Sequence, residues 1–336
     1  MNKLYFCTLF DSNYLTRGIA MYESLKKNLD NFTLYICTFD NKAYEILSNI
    51  KLQNVVIIKL EDLEKFDNGL LLSVKNTRNA AEYCWTSTGV LIKYCLDNFK
   101  LDHCTYLDAD IYFYSFSEEV INLIKKKKVL LTPHRYTPEY DQSFTSGKYC
   151  VQFLTFWNIK EHIVILDEWI KNCINWCYAR YEDGKFGDQK YLDEWPIKYP
   201  NDILEVEHLG IGLAPWNIQQ FKIINENNKL YVFDKRKKHE VVFYHFHGLK
   251  FIERNRIRLG NYKLSNKVIK YFYIPYIKKL LKLKQKLNLN ENNIQKTKYS
   301  IQYVIKRVLN DKNSIKRFFK RIKNRNIYDI DKLLKG

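Results

Sequence analysis

Apolar positions along the first 250 residues follow two rhythms that take turns. Leu4 to Leu9 is a short apolar and β-branched run, polar Asp11, Ser12 and Asn13 follow, and Ile19, Tyr22, Leu25 and Leu29 then recur at helical spacing. The pattern repeats with Thr33–Thr38 as strand, Ala43–Ile50 as helix, Val55–Leu60 as strand and a long helix from about Glu82 to Phe99. Strands at His103–Leu107 and Ile111–Tyr114 flank the acidic turn Asp108-Ala109-Asp110, and Val129–Thr132 and Tyr149–Phe156 read as further strands. A long amphipathic helix is expected over Ile159–Tyr181, with Trp169, Cys173 and Trp176 on it. Such alternation predicts an α/β fold, with a mixed, mostly parallel sheet flanked by helices. Open sheets of this kind bind ligands at the carboxyl ends of their strands, so the loops after Leu9 and Leu107 are the ones to watch.

Composition narrows this picture. With 336 residues, 46% of them hydrophobic, the chain can bury a substantial core, which excludes disorder as its main state. Its eight cysteines form no CxxC pair and no leader precedes them, so they read as reduced thiols of a cytoplasmic protein. No run of about 18 apolar residues occurs without charges, so no membrane-spanning helix is expected.

Charge is distributed unevenly. Residues 249–336 hold 25 Lys/Arg against 5 Asp/Glu, whereas residues 1–248 hold 30 against 32. The break predicts a boundary near Lys250, with one domain over 1–250 and a basic helical extension over 251–336. Large apolar residues keep helical spacing within the extension, at Ile277, Leu280, Leu281 and Leu287 and again at Ile315, Phe318, Phe319 and Ile322, with Asn288–Asn293 as a connector. The second stripe, ringed by Lys316, Arg317, Lys320, Arg321, Lys323 and Arg325, suits an anionic membrane surface; the alternative is packing on the main domain. Nucleic acid is not an expected partner, because no recognition motif accompanies the charge.

Three stretches carry chemistry. Asp108 and Asp110 lie two apart at the end of an apolar strand, where a period of two aims both the same way, and paired oxygen ligands select a hard divalent ion. A solvated turn is the plainer alternative. His245 and His247, before Gly248, offer a nitrogen ligand to the same ion or are a surface feature. Asp188 and Gln189 stand at the entry to a helix, where Asp188 is either a cap or a functional acid. Ala214-Pro215-Trp216-Asn217 is either a turn or an aromatic wall for a sugar ring.

Taken in order, Thr8-Leu9-Phe10-Asp11-Ser12-Asn13-Tyr14, Tyr106-Leu107-Asp108-Ala109-Asp110, Gly187-Asp188-Gln189 and His245-x-x-Gly248 with Lys250 resemble the GT-A fold nucleotide-sugar glycosyltransferases. The resemblance covers about residues 3–250 and is to the family-8-like bacterial enzymes of lipopolysaccharide and other surface glycans. It implies that Asp108, Asp110 and His245 hold Mn²⁺ or Mg²⁺ on the diphosphate of a nucleotide-sugar donor, a UDP-sugar first among them. It further implies that Thr8, Asp11 and Asn13 line the donor pocket, the last two near nucleobase and ribose, and that Lys250 touches phosphate. Asp188 would bind donor-sugar hydroxyls, and Gln189 would lie under the anomeric carbon. The implied reaction is hexosyl transfer to a glycan or lipid-linked acceptor at the cytoplasmic face of the membrane, with retention of configuration. Alternatives are inversion with Asp188 as base, or an inactive sugar-nucleotide fold in a basic nucleic-acid- or membrane-binding protein.

Three departures from that family's pattern are visible. Its arginine on the helix before the Asp108 strand is replaced here by Trp85-Thr86-Ser87-Thr88, which leaves Arg78 upstream as a substitute, its acceptor-side Asn-Ala-Gly or Asn-x-Gly is Cys150-Val151-Gln152, and no Pro-Trp follows Lys250. A sugar-activating nucleotidyltransferase is disfavoured, because Thr8–Tyr14 contains no glycine to wrap phosphates.

Overall fold

The computed structural model describes residues 3–66, 68–234, 237–253, 255–289 and 326–335. A seven-stranded sheet forms its centre. The strands are β1 (Leu4–Phe10), β2 (Phe32–Thr38), β3 (Val55–Lys59), β4 (His103–Leu107), β6 (Val129–Pro133), β7 (Tyr149–Trp157) and β8 (Ile203–Glu205), in the order β3-β2-β1-β4-β7-β6-β8. All neighbours are parallel except the pairings of β7 with β4 and β6. A mixed, mostly parallel sheet is thus what the alternation predicted.

The side-chain period of two explains why helices cover both faces. From β1, Leu4, Phe6 and Phe10 enter one buried cluster, together with the helix Leu15–Asn28. Cys7 and Leu9 enter the other, with the helices Ala80–Asn98 and Lys160–Asn175. The Ala80–Asn98 helix starts where Asn79 and Glu82 cap each other's backbone N–H groups. The Lys160–Asn175 helix stops short of the expected Tyr181. Trp176 turns extended, and the following segment is held by Ala179 N–H donating to Glu82 Oε1 (2.9 Å) and Trp176 Nε1 donating to Glu182 Oε1 (3.1 Å).

A two-stranded ribbon pairs β5 (Ile111–Phe113) with β12 (Phe243–His245), and β9 (Lys222–Glu226), β10 (Lys229–Phe233) and β11 (Lys238–Glu240) form a separate meander. The third small sheet joins β13 (Lys250–Glu253), β14 (Arg256–Arg258) and β15 (Ile327–Asp329).

The change in charge at Lys250 does not mark the edge of the core. Phe272, Tyr273, Tyr276, Ile277, Leu280 and Leu283 are buried in the same cluster as β1 and the Leu15–Asn28 helix, and Ile330 and Leu333 join them. The helix Ile274–Lys286 was legible from its spacing, but its apolar stripe faces the main domain, and Lys279 pairs with Glu23 of the Leu15–Asn28 helix. A boundary read from net charge misses this, because a helix packs by every third or fourth residue while lysines on its outer face set its charge. The stripe Ile315–Ile322 and the end of the Asn288–Asn293 connector lie outside the described residues. All eight cysteines are free thiols, and among the described residues no helix is long and apolar enough to cross a membrane.

Candidate functional site

β4 stops at Leu107 because the next side chain is a carboxylate. Asp108 still donates its backbone N–H to the Gln152 carbonyl of β7 (3.2 Å), after which the chain turns through Ala109 and Asp110 into β5. The β5–β12 register sets Ile111 opposite His245, and Phe246 N–H donates to the Asp110 carbonyl (2.9 Å). His245 Nε2 therefore lies 3.0 Å from Asp110 Oδ1 and 3.8 Å from Asp108 Oδ2. Gly248, at φ +77, makes the turn that follows β12, a conformation a side chain disfavours.

His245 is the imidazole that meets the acidic pair; His247 packs its ring edge-on against Trp216 at 5.5 Å. The opposite nitrogen of His245, Nδ1, is 2.7 Å from Gln152 Oε1. An amide oxygen can only accept, so Nδ1 carries the proton and Nε2 is the ligand nitrogen facing the carboxylates. Two carboxylates and an oriented imidazole are a donor set for a divalent ion, and Cys150 Sγ adjoins it, its ligand atom and those of Asp108 and His245 lying within 4.8 Å of one another. Gln152, fully buried in β7, touches His245, a contact that its place in Cys150-Val151-Gln152 did not announce.

Electrostatics follow from this packing. Burial pushes the Asp108 carboxyl up to about 6, with the Asp110 charge adding and the His245 charge opposing. Burial also acts upward on Asp110, but the charge and hydrogen bond of His245 hold it at about 2. Burial lowers His245, and Asp110 more than reverses this, so the imidazole's pKa is well above its ordinary value. An incoming divalent ion must displace that proton, and below about pH 6 also one from Asp108. Mn²⁺ affinity is accordingly expected to fall as pH falls, by up to about tenfold per pH unit and more steeply below about pH 6. A Mn²⁺ titration between about pH 8 and about pH 5 checks this, and a flat profile would contradict the assignment of His245. Gln152→Leu, which frees the imidazole, is expected to weaken Mn²⁺ about 10- to 100-fold, read as free Mn²⁺ by electron paramagnetic resonance. Unchanged affinity would show that Gln152 orients nothing.

Asp188 is no helix cap. Gln189 precedes the short helix Lys190–Glu194 without a side-chain cap, while Asp188 is only 6% exposed. Burial first, and then the Asp108 charge, raise the Asp188 carboxyl to about 8, which places it within electrostatic reach of the acidic pair and protonated at pH 7. Gln189 Nε2 donates to the Ser146 carbonyl (2.5 Å), which fixes its amide plane.

At the end of β1, Asp11 and Asn13 bind each other. Asp11 Oδ1 accepts from the N–H groups of Asn13 (3.0 Å) and Tyr14 (3.2 Å), and Asn13 Nδ2 donates to Asp11 Oδ2 (2.8 Å). In this state Asp11 shapes the loop, and Asn13 is exposed. Thr8 belongs elsewhere: its side chain is fully buried on the face of Phe6 and Phe10, so it has a place in the core and not in an open pocket. Arg78 donates to the Ile174 carbonyl (3.1 Å) and stacks at 3.9 Å over Tyr178. Trp216 is buried and Asn217 staples its own turn, through Ala214 N–H to Asn217 Oδ1 and Asn217 Nδ2 to the His134 and Gly212 carbonyls. That stretch is a turn, not a sugar platform. Lys250 is exposed at the start of β13.

No protein-family model matches the chain. YfnD and YfnF of Bacillus subtilis (strain 168), both uncharacterized proteins, are each 26% identical to it, over 283 residues (82% of this chain, 88% of YfnD) and 261 residues (75% and 84% of YfnF). Among solved structures, the galactosyltransferase LgtC in complex with donor and acceptor sugar analogs matches with a TM-score of 0.51 at 12% identity, over 83% of this chain and 96% of LgtC. The chain has a GT-A fold. In the GT-A framework the acidic turn after β4 and the loop after β1 share the carboxyl edge of the sheet, so Asp108, Asp110, Asp11 and Asn13 belong to one cleft edge.

Proposed function

We propose that the chain is a divalent-cation-dependent glycosyltransferase that moves a hexose-type sugar from a nucleoside-diphosphate donor, a UDP-sugar, to a glycan or lipid-linked acceptor. The observation that carries this reading is the convergence of Asp108, Asp110 and His245, drawn from two strands, with the tautomer of His245 set by Gln152. The GT-A fold supports it, as does the likeness to LgtC, a galactosyltransferase crystallised with donor and acceptor analogs.

These three side chains would hold Mn²⁺ or Mg²⁺, which supplies positive charge to the leaving diphosphate as the glycosidic bond breaks. Asp188, a buried carboxyl whose pKa burial and then the Asp108 charge raise to about 8, is suited to hydrogen-bond a sugar hydroxyl. The likeness to LgtC-type folds leaves transfer with retention as the reading and inversion with Asp188 as base as its alternative. Gln189, its amide held by Ser146, would face the anomeric carbon, and Asn13 and Asp11 would meet the nucleoside once the donor enters. The basic residues between 290 and 325 support an acceptor at an anionic membrane surface on the cytoplasmic side.

A calorimetric panel of UDP-, GDP- and CMP-sugars, run with the full chain in Mn²⁺ and again in EDTA, tests the proposal. Binding of one nucleotide class that disappears in EDTA is expected. No binding to any of them would sink the donor assignment.

A further inference from the structure

Three cations with no carboxylate partner among the described residues, Arg17, Lys250 and Arg258, lie near one another: Arg17 donates to the carbonyl of Leu249, the neighbour of Lys250, and Lys250 pairs with Arg258 across β13 and β14, while the Arg17 charge also reaches Asp110. They come from the Leu15–Asn28 helix and from neighbouring strands of a different sheet, so nothing in sequence proximity forces them together. Arg17 is anchored at two points, donating to the Asn13 carbonyl (3.2 Å) and to the Leu249 carbonyl (3.0 Å), and it stacks at 4.7 Å over Tyr14. A guanidinium has five N–H donors, so this clamp leaves others to face a ligand. Its charge reaches both Asp110 and Lys250. Arg258 stands directly across from Lys250 in the β13–β14 pair, and its Nε is buried without a hydrogen-bond partner.

Like charges opposite each other on paired strands repel, and a buried N–H without an acceptor costs free energy. Partial desolvation of the half-exposed Lys250 side chain lowers its pKa, and the charges of Arg258 and Arg17 add to this. An anion bound between them would relieve this repulsion and supply the missing acceptor. Planar guanidinium forks suit phosphate oxygens, and a compact ammonium adds point charge.

We infer that Arg17 and Arg258 join Lys250 in a cradle for the diphosphate of the nucleotide donor. The inference rests on the donor reading above. It makes Arg17, on the Leu15–Asn28 helix, and Arg258, on the β13–β14 hairpin, binding residues.

The test uses the full chain and two probes, UDP and inorganic pyrophosphate, titrated calorimetrically in Mn²⁺ against wild type, Arg17→Gln, Arg258→Gln and Arg17→Lys. Lys278→Gln, an exposed position on the Ile274–Lys286 helix, controls for net charge. Each glutamine variant is expected to bind both probes about 10- to 100-fold more weakly, with Arg17→Lys in between, the control within about twofold and Mn²⁺ alone unaffected. Thermal unfolding reports whether each variant folds, and Arg17→Lys keeps the test open if Arg17→Gln does not. Unchanged affinities in both glutamine variants would overturn the cradle while leaving the donor reading intact. Pyrophosphate bound by wild type and lost in the variants, with UDP never bound, would keep the cradle and end the donor reading. Neither probe binding wild type would end both.

Discussion

Asp110→Ala is expected, on the proposed function, to lower sugar transfer by about a thousandfold, because it would remove a carboxylate ligand and with it several kcal/mol of charge stabilisation for the departing diphosphate. The same change leaves the imidazolium of His245 without its 3.0 Å partner, so a bound Mn²⁺ would lose one ligand and the orientation of a second. The fold should survive, since Asp110 sits in the turn after β4 and its backbone carbonyl, which accepts from Phe246, is retained. Nucleotide release in the presence of acceptor, together with the melting temperature, separates the two effects. A variant with wild-type turnover would mean that the acidic pair is only a turn.

Ending the chain at Lys250 is expected to abolish folding, although the charge distribution invites that truncation. It would delete Phe272, Tyr273, Tyr276, Ile277, Leu280 and Leu283, each buried in the core shared with β1 and the Leu15–Asn28 helix. At roughly 1.5–3 kcal/mol per side chain the loss is about 10 kcal/mol or more, comparable to the whole stability of an ordinary domain. Phe246 would lose its ring partner Tyr276, stacked at a centroid distance of 3.8 Å, and with it the support behind His245. Insoluble protein, or soluble protein without near-ultraviolet circular dichroism, is the expected result. A cooperative thermal transition in the truncated chain would show that the basic segment is an appendage after all.

The central sheet and the acidic turn were legible because both depend on local pattern. The alternation of Leu4, Phe6 and Phe10 against Cys7 and Leu9 identifies a strand buried on two faces, and Asp108 and Asp110 mark the turn that follows the apolar strand β4. Partners supplied by tertiary structure were not legible. Gln152 meets His245 across 93 positions, and no spacing rule predicts that the one amide in Tyr149–Trp157 fixes a tautomer; the available signal was a long polar side chain inside a mostly apolar nine-residue strand. Arg17 looked like one more charge on an amphipathic helix, and Arg258 like one of many in a basic tail. Thr8 was misplaced for the converse reason. A motif position says which strand or loop a residue is on, but β1 points Thr8 into the core.

The proposed function requires a cation between Asp108, Asp110 and His245. Anomalous scattering at a manganese-sensitive wavelength, from crystals of the full chain grown with Mn²⁺ and UDP, tests this most directly. A single strong peak about 2.0–2.2 Å from oxygens of Asp108 and Asp110 and from His245 Nε2, with diphosphate density beside it, is the predicted result. Manganese bound elsewhere, or UDP seated with no ion between these three side chains, would contradict it.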